Sequence, residues 1–285
     1  ITLNHHNMYK SKAIKKISEI LMTDKSNLSL RQKIDNCVFL VKDLIAGENY
    51  ADAIAAVGSM PACPEKYYYA ALANYKSGNY SKSAEQFKFV IDRYQSSKYW
   101  TKSIYYRFAA GLQLGYGRIA EKGLKDFIKD YPYDEMVGDA CYSLADYYLK
   151  NSKSQDALAY LKKIRISYNN SSALMPALWL EAEYYRKNKE PQKSTGVLSQ
   201  IIKTTQDKNE LIKALYWRGK IFGFANQYSD AARDFLDVII KDPMSFYTYR
   251  AFAQLKQIYP KLLAFARSPG FQYNSNREEC LQIIR

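Results

Sequence analysis

Small and large apolar residues recur along this chain in columns spaced 37 residues apart. Ser83, Ala120, Ala157, Ser194 and Ala231 form a column of small residues. Four residues after each stand Phe87, Leu124, Leu161, Leu198 and Phe235, and three further on Val90, Phe127, Ile164, Ile201 and Val238. Small, large, large at i, i+4 and i+7 is one face of an α-helix. Twelve residues before each small position come Ala71, Phe108, Ala145, Ala182 and Gly219, four of them small. Three before those come Tyr68, Tyr105, Tyr142, Trp179 and Tyr216, always aromatic. Four columns agreeing over five copies predict five repeats of two helices each.

In each copy helix A carries the aromatic and first small columns, and helix B the second small column and the large pair. In the third copy these fall at about 139–150 and 154–167. Facing small positions let the two helices approach closely. Breakers punctuate the pattern: Ser77-Gly78-Asn79, Leu114-Gly115-Tyr116-Gly117, Asn151-Ser152-Lys153-Ser154, Lys189-Glu190-Pro191 and Ala225-Asn226-Gln227 between A and B. Tyr131-Pro132, Tyr168-Asn169-Asn170 and Asp242-Pro243-Met244 follow B. Glycine favours a helix end and proline cannot continue a helix.

One copy cannot bury its own apolar face, but a stack of copies can. The expected fold is all-α: a right-handed α-solenoid of helix-turn-helix repeats with a 37-residue period. Residues 65–243 hold the five repeats. Residues 1–64 form N-terminal helices and a degenerate capping repeat, whose turn is read at 47–54, and 244–285 form capping helices and a tail. A helix at 245–259 is expected to stop at Pro260, and a last short helix to lie near 277–284.

These columns resemble the tetratricopeptide repeat. Ala71, Ser83 and Phe87, and again Ala145, Ala157 and Leu161, match its small, small and large positions; Pro132 and Pro243 match its closing proline. The usual period is about 34, so the inter-repeat loop here is expected to be about three residues longer.

Composition narrows the function classes. Lysine and arginine number 42 against 28 aspartates and glutamates, a net charge of +14, and 47% of residues are hydrophobic. Charges interrupt every apolar run before the roughly 18 residues a spanning helix needs. The two histidines are His5 and His6, in a polar stretch read as a tail. A Ser-His or Cys-His nucleophile within the repeats, or a histidine-ligated zinc there, is therefore excluded. Cys37, Cys63, Cys141 and Cys280 have no Cys-x-x-Cys spacing, and Cys141 reads as a small core residue. No phosphate loop, dinucleotide fingerprint or calcium-loop spacing occurs. The expectation is no catalytic constellation, no metal and no cofactor.

The candidate binding residues are the aromatic column, Tyr68, Tyr105, Tyr142, Trp179 and Tyr216, together with Arg107 and Arg218 at a shared repeat position. In the tetratricopeptide family helix A lines the concave face, so the resemblance implies rings available to peptide side chains or sugars. Packing between stacked repeats would demand the same recurrence. Glu181 and Glu183 are two residues apart and so point to different sides of their helix. The lysines are scattered, with no compact stripe or motif for nucleic acid.

The C-terminal copy carries a further likeness. Tyr216-Trp217-Arg218, then Asp242-Pro243-Met244-Ser245-Phe246-Tyr247, then a helix reaching Leu255, resemble the closing segment of the superhelical domain of soluble lytic transglycosylases. Tyr216, Trp217, Pro243, Ser245, Phe246, Tyr247 and Leu255 match; Asp242 and Thr248 replace the usual tyrosine and glycine. That family cleaves peptidoglycan with a glutamate in a Glu-Ser pair, a dipeptide this chain lacks. The resemblance implies a non-catalytic, periplasmic superhelical part whose groove surrounds peptidoglycan, with any catalytic domain beyond Arg285; the start at Ile1 is read as either a removed leader or an excised fragment. The alternatives are a tetratricopeptide scaffold binding a protein partner in an envelope or motility assembly, and an intracellular adaptor for a peptide tail.

Overall fold

The computed structural model describes residues 14, 16–23 and 28–266. The expected helix near 277–284, Cys280, and His5 and His6 lie outside the described residues. Those described are helical or in turns, with no strand. The chain forms two compact units that divide after Lys153, within the third repeat.

In the first unit the helices are α1 (16–23), α2 (Leu30–Ala46), α3 (Tyr50–Gly58), α4 (Pro64–Lys76), α5 (Tyr80–Arg93), α6 (Trp100–Gln113), α7 (Gly117–Asp130) and α8 (Val137–Lys150). The second holds α9 (Ser154–Ser167), α10 (Leu174–Lys187), α11 (Pro191–Thr204), α12 (Lys208–Phe224), α13 (Tyr228–Lys241) and α14 (Phe246–Ala266). Within each unit a helix packs on its neighbour in sequence. Helices of the A type also touch the next A helix: α4 on α6, α6 on α8, α12 on α14. That is the stacking of an α-solenoid. The 37-residue period is set by the B helices, which start at Tyr80, Gly117, Ser154, Pro191 and Tyr228.

The columns do what their sizes require. Phe87, Leu124, Leu161, Leu198 and Phe235 are all buried, as are Val90, Phe127, Ile164, Ile201 and Val238. Where the small B position is serine, its hydroxyl donates to the facing A helix: Ser83 Oγ to the Ala71 carbonyl at 3.0 Å, and Ser194 Oγ to the Ala182 carbonyl at 2.9 Å. Phe108, the large member of a small column, fits because Gly123 opposite has no side chain. A Cβ there would lie 2.3 Å from the Phe108 ring.

Each A-to-B turn is the same Schellman motif. The amide two residues beyond the helix cap bonds back five residues, as in Asn79 to Asn74, Tyr116 to Gly111, Lys153 to Tyr148, Glu190 to Tyr185 and Gln227 to Phe222. The residue before each of those donors has positive φ: Gly78 and Gly115, then Ser152, Lys189 and Asn226. The same bond, Asn49 to Leu44, and Glu48 at φ 59° identify α2 and α3 as a shortened copy. The added length lies in the B-to-A connections at 94–99, 131–136 and 168–173. There Ser97 Oγ, Asp134 Oδ1 and Ser171 Oγ accept the amides of Tyr99, Met136 and Ala173 and lead into the next helix.

One boundary differs from expectation. Helix α14 runs through Pro260 to Ala266. Proline removes the bond to the carbonyl four residues back, at Lys256. Both Pro260 and Lys256 are exposed, so water can serve that carbonyl.

Candidate functional site

The aromatic column divides by environment. Tyr68 is 5% exposed and packs on Tyr99, with ring centroids 4.5 Å apart, and on Phe87 at 5.8 Å. Tyr105 is buried, with its hydroxyl 3.2 Å from Ser143 Oγ on α8. Tyr216 is buried against Tyr247 at 5.2 Å and Phe235 at 6.0 Å. Burial pushes the Tyr68 and Tyr105 hydroxyls far above their usual range. These three rings serve contacts between neighbouring helices. Tyr142 and Trp179 are half-buried, and Trp179 lines a hollow in the second unit.

The arginines also separate. Arg218 is a clamp joining three helices: its guanidinium donates to both Asp234 oxygens, at 2.6 and 2.8 Å, and to Ser199 Oγ at 2.9 Å. The bonds to Asp234 hold the guanidinium above its ordinary pKa, and each of its three nitrogens donates one bond. Arg107 is half-buried, 5.8 Å from the Phe108 ring centroid. Glu181 is buried 3.3 Å from Arg165; burial pushes its carboxyl up and the arginine pulls it part of the way back. Glu183, on the other side of the helix turn, binds Arg186 at 2.6 Å and is lowered by that hydrogen bond.

What the structure brings together around Trp179 is a groove in the second unit. Trp179, Ala182, Glu183 and Arg186 stand at i, i+3, i+4 and i+7 on α10, one face of that helix. Lys213, Trp217, Lys220, Ile221 and Phe224 make the facing stripe on α12. Ser194 and Leu198 of α11 complete the lining. One hollow of about 230 Å³ lies between the indoles of Trp179 and Trp217 over Ala182, Leu198 and Ile221. A second of about 490 Å³ continues past Trp217 to Lys189, Pro191, Lys220 and Phe224. The two share Arg186, Trp217 and Ile221.

The indoles are held in place by charge. The Trp179 N–H donates to the Glu210 carboxylate, in the first turn of α12, where the helix dipole favours an acid. Lys213 Nζ lies 4.0 Å from the Trp179 ring centroid and 3.8 Å from Glu210. Trp217 has the Arg186 guanidinium at 5.5 Å and Lys220 Nζ at 5.1 Å, cation–π distances. Phe224 is 81% exposed at the rim. Such a surface can seat an apolar side chain and answer negative charge beside it. Among the described residues no group of three or more histidine, cysteine, aspartate or glutamate side chains is arranged for a metal. No described helix is long and apolar enough to cross a membrane.

The sequence columns hold Trp179 and its neighbours Ala182, Ser194 and Leu198, but not the stripe on α12. Trp217 entered only as part of the transglycosylase likeness. Lys213, Trp217, Lys220 and Phe224 do fall at helical spacing on α12, and that stripe was the available signal.

No protein-family model matches the chain, and none of the curated proteins does. Among solved structures it is similar to the C-terminal part of a TPR repeat-containing protein from Cytophaga hutchinsonii. The two are 14% identical and superpose with a TM-score of 0.52 over 87% of this chain and 93% of that one. That likeness is one of fold: the chain is an all-α, tetratricopeptide-like helical repeat protein.

Proposed function

We propose that this chain is a non-catalytic helical-repeat scaffold that holds a protein partner, with the groove between α10 and α12 as the docking site. The observation that carries the reading is the pair Trp179 and Trp217. Both indoles stay half-exposed over an apolar floor, whereas Tyr68, Tyr105 and Tyr216 of the same aromatic family are spent on packing. Clustered aromatic and arginine side chains are the residues on which interface energy concentrates. A photo-crosslinking side chain in place of Phe224 is expected to trap a discrete protein in cells of the source organism. The same group at Tyr133, which is 99% exposed in the first unit, is not. Discrete products at both positions, or at neither, would refute the placement.

A second reading sets the scaffold in the bacterial periplasm, as the superhelical part of a peptidoglycan lytic transglycosylase or a relative. It is favoured by the match at Tyr216, Trp217, Pro243, Ser245, Phe246, Tyr247 and Leu255, and by indole faces on which sugar rings can stack. Purified peptidoglycan should then sediment the protein at low salt, with Trp217→Ala released. Peptidoglycan that leaves the native protein in solution ends this reading and not the first.

A further inference from the structure

The groove is asymmetric in charge. Glu183 is taken up by Arg186 at 2.6 Å and Lys187 at 3.4 Å, and Glu210 by the Trp179 N–H and Lys213. Lys189 and Lys220, at the other end, form no ion pair among the described residues. Lys220 is instead held over π faces, 5.1 Å from the Trp217 centroid and 5.8 Å from that of Phe224. Lys189 projects from a backbone position fixed by the Schellman turn, at φ 58°. Two cations with fixed origins and no counter-charge thus flank the larger hollow. The smaller hollow has an apolar floor and about 230 Å³, several times the roughly 30 Å³ share of one water in the liquid. That suits one bulky side chain and is too small for a folded element.

We infer that the groove takes an acidic peptide segment that carries one bulky apolar side chain. That side chain enters between Trp179 and Trp217, and a neighbouring carboxylate reaches Lys220 and Lys189. The inference rests on the protein-binding reading above. Charge complementarity selects this occupant. A neutral glycan has nothing to offer the two lysines, whereas a carboxylate gains charge-assisted hydrogen bonds from both. A nucleic acid backbone calls for a stripe of cations along its phosphates, and two lysines beside an apolar hollow do not form one.

The test uses the full chain and a fluorescein-labelled heptapeptide of aspartate and glutamate around a central phenylalanine, read by anisotropy. Two companion peptides carry alanine at the centre or lysine in the flanks. The acidic phenylalanine peptide is expected to bind, more weakly as salt is added. The alanine centre should weaken binding about tenfold or more, as should Trp217→Ala, the loss a buried anchor gives. Lys189→Gln, which breaks no ion pair and should leave the melting curve unchanged, and Lys220→Gln, which gives up its cation–π contacts, are each expected to weaken binding by about two- to fivefold, the scale of one exposed charge pair. Equal binding of the lysine-flanked peptide, or lysine variants without effect, overturns the acidic preference while leaving a peptide groove. No binding of any peptide overturns it as well. If soluble peptidoglycan fragments then perturb the tryptophan fluorescence, the protein-binding reading falls too.

Discussion

Replacing Gly123 by alanine sets helix propensity against packing. Alanine in a helix interior is favoured over glycine by about 1 kcal/mol. The new Cβ, however, would lie 2.3, 2.4 and 2.5 Å from three atoms of the Phe108 ring, where carbon atoms prefer about 3.5–4.0 Å. The half-buried ring must retreat by an ångström or more from α7. Overpacking of this kind costs about 1–3 kcal/mol, and the depth of overlap places it at the upper end. The expected net destabilisation of Gly123→Ala is about 2 kcal/mol. Phe108→Ala removes a half-buried ring and should cost about 2 kcal/mol, below the range for a fully buried one. The double variant recreates the small residue found at Ala71, Ala145 and Ala182. It should cost only about 1 kcal/mol, because the new methyl meets no ring and keeps its helical advantage. The coupling is then about 3 kcal/mol, at the high end for residues in contact. Urea unfolding of the four proteins, with m-values compared and amide exchange followed on α6 and α7, measures it. A Gly123→Ala variant at least as stable as the native chain, or additive costs, would refute the argument that this column exchanges its large and small members across the helix pair.

Three further outcomes follow from the same geometry. Ser152 holds φ 60° without being glycine; Ser152→Gly removes that strain but adds freedom to the unfolded chain, so a gain of about 0.5 kcal/mol is expected in urea unfolding. Arg218→Ala strands the buried Asp234 carboxylate, 2.6 Å away in the native protein, and should cost about 3 kcal/mol, whereas Arg107→Ala should cost less than 1 kcal/mol. Burial pushes Tyr75 and Tyr148 up to about 12 and Tyr68, Tyr99, Tyr105 and Tyr106 further. Stability from keeping these phenols neutral is fully present below the unfolded value of about 10 and is lost as pH rises through the folded values. Tyrosinate absorbance should therefore show these buried tyrosines ionising in one late step that coincides with loss of helical circular dichroism; a smooth titration without that step would contradict their burial.

The frame was legible because its determinants are local and repeated. A serine or alanine at the close approach, a leucine or phenylalanine one turn on and a breaker at the turn act within a single hairpin. Five copies let chance be discounted. The left-handed turn position shows the limit of residue identity. Glycine at 78 and 115 announces it, but Ser152 and Lys189 adopt the same φ because the Schellman bonds and the packed helices on either side impose it. Pro260 is the converse: a local stop signal overridden on an exposed helix face. The aromatic column was legible as a column but not as to its use, since a ring's availability depends on what the next helix brings to it. Tyr216 receives Tyr247 and Phe235 and is closed. Trp179 receives Lys213 and the Glu210 carboxylate and stays partly open. The difference lies in residues more than thirty positions away in each case but one, on a helix whose register against its neighbour is set by packing. Recurrence at 37 residues marks what every copy shares, and a groove particular to one copy is built from what the others do not share, here Trp217 where the preceding copies carry Leu180, Ser143, Tyr106 and Tyr69. A departure from the repeat at an exposed A-helix position is thus the sequence signal to seek in such arrays, and the groove around Trp217 is where this chain displays it.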